Sequence, residues 1–229
     1  MNAHEGHRKR KRAQFMKSGL ASLSEHEALE ILLYYAIPRR DTNTVAHALL
    51  ARFGSLDALL KAPAEEIEKI EGVGEYAASL IKLVPDIYRK SQTEKEGKTV
   101  ILNSVTSAGE FFMKRFIGER NEVMYEATLD KKGKVIACHR ISEGNVDRLG
   151  VNIRMIVETA LIDNASAVML AHNHPSGIAL PSKADNTMTF CARDALETVS
   201  VALVDHIIVA DDDYVSLAAN GLLEKKGLI

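Results

Sequence analysis

The chain has 229 residues, of which 46% are hydrophobic and 26% charged, and its formal net charge at pH 7 is -2. This balance predicts a globular protein, and it excludes a strongly basic field that would attract the whole molecule to nucleic acid or to a membrane. The two cysteines form no CxxC pair, which argues against a zinc ribbon or a disulfide framework and indicates a reducing compartment. Because there is neither an apolar run of about 18 residues nor a secretory signal, we expect a cytoplasmic protein without membrane contact.

The first part of the chain, residues 1–90, is predicted to be a small all-helical domain. Ser24 and Glu27 have the spacing of a capping box at the start of "LSEHEALEILLYYAI", in which leucines recur at helical period. A following helix, "DTNTVAHALLARFG", is expected to end at Gly54. The basic segment Arg8–Arg12 is interpreted as a solvated or frayed start rather than as a phosphate contact.

Later in this domain, "IEKIEGVGEYAASLI" resembles a helix-hairpin-helix motif. In such a motif Gly72 and Gly74 would let backbone N–H groups face a phosphate at a helix N-terminus. Glu71 and Glu75 flank these glycines and would repel the phosphate. Two interpretations stay open: contact with DNA through this domain, or an ordinary turn between helices closed by a hydrophobic plug.

Residues 91–100 are polar and charged and are predicted to be a linker. In the remainder, residues 101–229, segments with helical and strand-like patterns alternate. The predicted helices are "SAGEFFMKRF", "NIRMIVETALIDN" and "SKADNTMTFCARDALETV", and the predicted strands are "EVMYEATLD", "KVIACHRIS", "ASAVMLAH", "ALVDHIIVA" and "YVSLAA". The first two strands flank "DKKG", which indicates a hairpin. This alternation predicts an α/β sandwich around a mixed sheet.

The segment "HNHPSGIALPSKAD" has the residue types and spacing of a metal site. His172 and His174 are one residue apart on a predicted strand, so their side chains point to the same side. Gly177 frees the backbone to turn, and Asp185, in the first turn of the next helix, can reach back toward the histidines. Three such ligands with an open fourth position are typical of catalytic zinc, which supplies hydroxide at neutral pH.

Each part of the segment also has a purely structural interpretation. Ser182 and Asp185 could simply cap a helix, and His-Asn-His-Pro could be a polar turn. We favour the metal site because no single structural purpose requires the whole series.

The same segment resembles the JAMM (JAB/MPN) metalloprotease signature, HxH followed by Asp with a serine three residues before it. "HNHPSG" is the wording of the RadC family, and "NEVMYEATLDKKGKVI", "LVDHIIVADDDYVSLAANGLL" and the helical front are similar to RadC segments in the same order. The resemblance covers nearly the whole chain. It implies a JAB/MPN-like mixed-sheet domain after the helix-hairpin-helix domain, with a zinc ion held by His172, His174 and Asp185.

The resemblance also implies catalytic roles. Ser182 would donate a hydrogen bond to the oxyanion of a tetrahedral intermediate, and a glutamate on a strand before the histidines would act as general acid and base. Glu122 matches that glutamate best, while Glu126 and Glu143 remain rivals because spacing does not separate them.

Three further positions bear on the site. His206, within a late strand, is interpreted as a hydrogen-bonded core residue rather than an extra ligand, and Cys191 as a packing residue. The sequence departs from the RadC pattern at His139 and at Gly144–Asn145, where an acidic residue and Gly-Thr are usual.

These features support three hypotheses. The first is a zinc hydrolase that cuts peptide or isopeptide bonds and is associated with DNA and its repair. The second is a nuclease, and the third is a DNA-associated scaffold that keeps the metal site without catalysis. Nucleases favour oxygen-rich Mg²⁺ sites, whereas two histidines and an aspartate with an open position favour zinc.

Overall fold

The structure is a computed structural model that describes residues 3–38, 40–94, 99–144 and 149–223, with only the backbone described at residues 3–5 and 149–151. The chain divides into two compact units, residues 1–88 and residues 89–229. None of the helices within the described ranges combines the length and the apolar character that a membrane span needs.

The first unit is helical, as the sequence predicts. Its helices are α1 (Ala3–Ser18), α2 (Glu25–Leu33), α3 (Thr42–Phe53), α4 (Leu56–Lys61), α5 (Ala64–Glu68) and α6 (Glu75–Glu94), with a 3-10 turn at Leu20–Ser22. The capping box of Ser24 and Glu27 is present at the start of α2. Gly54 ends α3 with a φ of 86°, a left-handed conformation that glycine adopts without strain.

The basic segment Arg8–Arg12 is not frayed, because it is part of α1, but Lys9, Arg10 and Arg12 are solvated as predicted. Arg8 donates hydrogen bonds to the carbonyl oxygens of Ile37 and Pro38, at 2.7 and 2.8 Å. Lys11 forms an ion pair with Glu27 of α2. Carbonyl groups beyond the end of a helix lack intrahelical partners, so Arg8 satisfies groups that would otherwise depend on water.

The turn between α5 and α6 carries the proposed hairpin glycines. Gly72 has a φ of 88°, and a Cβ atom there would lie 3.1 Å from the side chain of Val45. Val73 is buried, as a hydrophobic plug would be, whereas Glu71 and Glu75 are exposed. A glycine is therefore required at position 72 by local geometry alone, with or without a phosphate ligand.

The predicted linker begins as helix, because α6 extends to Glu94. The division between the two units falls within this helix, after Tyr88. Arg89, the first residue of the second unit, donates hydrogen bonds within that unit to the carbonyl oxygen of Ile117 and to Glu119, both at 2.9 Å. Residues 95–98 lie outside the described residues.

The second unit contains a five-stranded mixed sheet. Its elements are α7 (Val105–Met113), a 3-10 turn (Lys114–Phe116), β1 (Val123–Leu129), β2 (Val135–Glu143), α8 (Leu149–Ile162), β3 (Ala167–Asn173), α9 (Lys183–Thr198), β4 (Ala202–Ala210) and β5 (Asp213–Ser216). The strand order is β2-β1-β3-β4-β5. Only β3 and β4 are parallel, and α9 connects them; the other neighbours are antiparallel.

The sheet has helices on both faces, which confirms the α/β sandwich. On one face, Val168 and Leu170 of β3 pack with apolar residues of α8 and α9. On the other face, Met169 and Ala171 pack with the phenylalanines of α7. Because side chains alternate along a strand, the parity of β3 assigns His172 to the α8–α9 face.

We expect limited trypsin digestion to cut first within residues 95–100, after the end of α6. This stretch is charged and offers almost no apolar side chain to anchor it, and proteases prefer such segments. The measurement is mass spectrometry of the first fragments. A first cut inside residues 101–223 would contradict the two-domain division.

Candidate metal centre

His172, His174 and Asp185 meet at the C-terminal end of β3. The Nε2 atoms of the two histidines are 2.8 Å apart. Asp185 places one carboxylate oxygen 3.2 Å from His172 Nε2 and the other 3.4 Å from His174 Nε2. One ligand atom from each of the three residues lies within 4.8 Å of the others, a spacing that fits a single metal ion.

The chain between these residues is organised around the site. His174 follows the last residue of β3, and its carbonyl oxygen accepts from Gly177 N at 3.1 Å in a tight turn. Gly177 has a φ of 80°. At the start of α9, Ser182 N donates to one carboxylate oxygen of Asp185 at 2.6 Å, and Asp185 N donates to Ser182 Oγ at 3.1 Å. The capping interpretation is confirmed, and it does not exclude the metal-site interpretation, because Asp185 caps α9 and faces the histidines at once.

The tautomer of His174 is fixed by the backbone. Its Nδ1 lies 2.9 Å from the carbonyl oxygen of Ile178. A carbonyl oxygen can only accept, so Nδ1 carries the proton and Nε2 presents a lone pair to the cluster when the ring is neutral.

Asp185 is almost fully buried, as is His172. Burial by itself would raise the pKa of the Asp185 carboxyl group, but the close contacts with His172 and Ser182 outweigh burial and hold the pKa well below its usual value. Ring nitrogens 2.8 Å apart beside an ionised carboxylate require a proton or a cation between them. The donor set of two imidazole nitrogens and one carboxylate fits zinc.

His206 of β4 lies directly behind His172. The nearest ring nitrogens, His172 Nδ1 and His206 Nε2, are 2.8 Å apart. On its other side, His206 Nδ1 is 2.6 Å from the hydroxyl of Thr189. The prediction of a hydrogen-bonded core histidine is confirmed, since His206 is fully buried. Burial lowers the pKa of His206 well below its usual value, so the ring is neutral.

Asn173, between the two histidines, connects β3 to the start of β1. Its side-chain oxygen accepts from Val123 N at 2.7 Å, and its amide group donates to the carbonyl oxygen of Asn121 at 3.0 Å. These two bonds bracket Glu122, which is half-buried and directly precedes β1. The sheet register pairs Met124 with His172. Met124 and His172 lie on the face of the sheet that carries α8 and α9, and Glu122 precedes Met124 by two residues, just outside β1.

Glu126 lies on the same face but deeper, under α8. It pairs with Leu170, is fully buried, and contacts the hydroxyl of Thr159, while its Oε1 has no hydrogen-bond partner among the described residues. Burial raises the pKa of Glu126 from 4.5 to about 8. A protonated Glu126 suits this contact, because it can donate to Thr159 while that hydroxyl donates to the carbonyl oxygen of Met155.

Glu143, the other rival for the catalytic base, ends β2 on the opposite face. It pairs with Val123, which packs on the α7 side of the sheet. Asn121 donates to one of its oxygens at 3.1 Å, and Arg140 is 3.1 Å from the other.

His139, one of the positions where the sequence departs from the RadC pattern, contacts an aspartate of the same unit. Its Nε2 is 2.6 Å from Asp163, to which Thr128 also donates at 2.6 Å. Gly144 has a φ of 81°, and Asn145 lies outside the described residues. Cys191, predicted to be a packing residue, is instead exposed on α9.

Sequence reasoning missed Asn173 and Thr189. Asn173 was passed over as part of a polar turn, although its place between two ligand candidates was a signal. Thr189 is four residues after Asp185, one helical turn further along α9, and that spacing was its only signal.

We expect a Glu126→Gln variant to gain stability over the wild type as pH rises. The folded-state pKa of Glu126 lies above its unfolded value. The stability that Glu126 contributes to the folded state is therefore fully present below about pH 4.5 and is lost as pH rises through about 8. Glutamine has the same shape but does not titrate. Between pH 5 and 9 the variant should therefore gain on the order of 3 kcal/mol in free energy of unfolding relative to the wild type.

Urea unfolding of wild type and variant at both pH values measures this difference. The exposed Glu143→Gln is the control and should show no such shift. Parallel stability profiles for Glu126→Gln and wild type would contradict a raised pKa.

Comparison with known proteins supports the resemblance seen in the sequence. Residues 102–222 match the family described as a RadC-like JAB domain, and residues 4–79 match the family described as UPF0758 N-terminal. UPF0758 proteins of Burkholderia mallei (strain SAVP1) and Burkholderia pseudomallei (strain 668) are each 36% identical to this chain over 211 residues, which is 92% of this chain and 76% of each relative. The chain therefore belongs to the RadC family of JAB-domain proteins.

Proposed function

We propose that this protein is a zinc-dependent hydrolase of the JAMM type that cuts peptide or isopeptide bonds. The observation that carries the proposal is the convergence of two imidazole Nε2 atoms and a carboxylate within 4.8 Å at the end of a strand. His172 and Asp185 are buried, while 15% of the His174 side chain is exposed, so the cluster has one side toward solvent. Three protein ligands with an accessible side are typical of catalytic rather than structural zinc.

His172, His174 and Asp185 would hold the ion. Zinc bound there supplies a Lewis acid that polarises a carbonyl group and lowers the pKa of water to about 7. The two imidazole nitrogens favour zinc over Mg²⁺, which prefers an all-oxygen shell, and this argues against the nuclease alternative.

Glu122 is the proposed general base and acid. It would take a proton from the attacking water and pass it to the leaving amine as the amide bond breaks. Support comes from the Asn173 bridge, which fixes the backbone on both sides of Glu122, and from its place two residues before Met124, which pairs with His172. Glu126 is less suited because it lies under α8, and Glu143 because it pairs with a residue of the other face.

Ser182 is the proposed oxyanion donor. Its Oγ accepts from Asp185 N, which orients the hydroxyl, and no described residue takes up its proton. The side chain is exposed, so a substrate carbonyl oxygen could accept that proton as it becomes negative.

A DNA-associated scaffold without catalysis is the weaker alternative. Two residues of the basic segment, Arg8 and Lys11, are engaged within the first unit. Exposed Glu71 and Glu75 flank the glycines proposed to meet a phosphate. A role in DNA repair would therefore depend on surfaces other than these, or on a protein substrate associated with DNA.

We expect purified protein to contain about one zinc ion per chain, because three ligands and one open position bind a single ion. His172→Ala and His174→Ala should each lower the content sharply, since each removes a nitrogen ligand. His26→Ala, which removes a histidine of the first unit, is the control. Elemental analysis makes the comparison, and zinc content that is independent of His172 and His174 would refute the site.

We expect Glu122→Gln to separate catalysis from metal binding. The change removes the basic carboxylate but no proposed ligand, so zinc should stay while hydrolysis of an amide falls by about two to four orders of magnitude. Asp185→Ala should lose zinc and activity together. Turnover of a panel of fluorogenic peptide and isopeptide substrates, with zinc content measured on the same samples, tests both expectations.

Glu143→Gln is the matched control and should keep both zinc and activity. If Glu122→Gln is fully active while Glu126→Gln is inactive, the base has been assigned to the wrong glutamate. If zinc-loaded wild type turns over no amide and the chain binds DNA through residues 1–90, the scaffold alternative replaces the hydrolase.

A further inference from the structure

A chain of hydrogen bonds links two of the proposed ligands through residues that do not touch the metal position. It runs from the carbonyl oxygen of Asp185 to the hydroxyl of Thr189 at 2.6 Å, and from that hydroxyl to His206 Nδ1 at 2.6 Å. From His206 Nε2 it continues to His172 Nδ1 at 2.8 Å. Thr189 and His206 are fully buried, so no water competes for these bonds.

The direction of each bond follows from the group at the Asp185 end. A carbonyl oxygen only accepts, so the hydroxyl of Thr189 donates to it. With its proton committed there, the Thr189 oxygen accepts from His206, which places a proton on His206 Nδ1. With Nδ1 as the donor, the second nitrogen of the neutral ring, Nε2, is the acceptor and carries a lone pair.

The lone pair on His206 Nε2 decides the tautomer of His172. His172 Nδ1 must carry a proton to complete the 2.8 Å bond. Its Nε2 is then the nitrogen left to bind a metal, and this atom faces His174 and Asp185.

We propose that Thr189 and His206 are positioning residues that fix the Nδ1–H tautomer of His172 and so prepare it to bind the metal. The inference rests on the proposed metal site but concerns residues outside the ligand set. It also makes the two ligands interdependent, since the same chain of bonds holds the ring of His172 and the backbone of Asp185.

The two histidines of the site differ in how much support they need. His174 is held by the carbonyl oxygen of Ile178, which cannot reverse its role. His172 is held by an imidazole, which can present either a proton or a lone pair. Thr189 removes this ambiguity, because its hydroxyl oxygen accepts a hydrogen bond from His206 Nδ1 and so keeps the proton on that nitrogen.

Thr189→Val tests the proposal, because valine has nearly the same shape but no hydroxyl. Without an acceptor at Nδ1, His206 can place its proton on Nε2 and offer it to His172. Zinc affinity, measured by competition with a chromophoric chelator, should fall by about 10- to 100-fold. Imidazole ¹⁵N spectra of the metal-free chain should show that His172 loses its Nδ1 proton. Thr189→Ser restores the hydroxyl and should restore both properties.

Thr187→Val is the matched control. Thr187 lies on the same helix, and its hydroxyl donates to the carbonyl oxygen of Lys183 at 2.9 Å, but it is exposed and contacts no histidine. It should leave zinc affinity and the His172 spectrum unchanged. Thr189→Ala is the second variant should valine prevent folding, which the melting temperature of each metal-free chain reports.

If folded Thr189→Val binds zinc as tightly as wild type and His172 keeps its Nδ1 proton, the positioning role is refuted. If wild type binds no zinc, the proposed metal site fails, yet the ¹⁵N spectra still decide whether Thr189 sets the tautomer. The two failures are therefore distinguishable.

Discussion

The approach of His172 Nε2 to His174 Nε2, at 2.8 Å beside the carboxylate of Asp185, is the contact around which the candidate metal centre is arranged. Polar groups removed from water are costly unless each finds a partner. Here the outer nitrogen of each ring is occupied, by His206 and by the carbonyl oxygen of Ile178, so the inner nitrogens can face only one another and the carboxylate. The two Nε2 atoms and the carboxylate of Asp185 therefore converge on one position.

The fold holds this point from three directions. Strand β3 supplies the two histidines, its antiparallel neighbour β1 is fastened to it by the side chain of Asn173, and its parallel neighbour β4 supplies His206. The connection between β3 and β4 passes through α9, whose first turn carries Asp185. One crossover connection thus supplies Asp185 and also leads to the strand that supports His172.

Much of this arrangement follows from local sequence patterns. Period-two alternation placed His172 and His174 on one side, and the Ser182–Asp185 spacing predicted the start of α9, because both depend only on neighbouring residues. The choice among Glu122, Glu126 and Glu143 could not be made from the sequence. It depends on strand register, on which face each residue occupies and on what covers it, and these are tertiary properties. For the same reason the partnership of Thr189 with His206 was not predicted, although His206 itself was.

In the helical unit, too, short sequence patterns predicted some features, while others depend on tertiary packing. The capping box at Ser24 and the glycine at position 54 were read correctly from short patterns. The role of Arg8 was not, because the carbonyl groups of Ile37 and Pro38 become its acceptors only when α1 packs against the end of α2. Likewise, the polar composition after Tyr88 does not reveal that α6 continues to Glu94.

The parallel pairing of β3 with β4 has a consequence for biosynthesis. A chain emerging from the ribosome exposes its N-terminal parts first. When Asp185 has emerged, all three ligand side chains are present, but Thr189 and residues 202–210, which form β4, are not. Until β4 joins the sheet, His172 lacks the neighbour that orients its ring, and β3 remains an open edge. A nascent chain that stops before β4 therefore carries His172, His174 and Asp185 without the neighbour that orients the ring of His172.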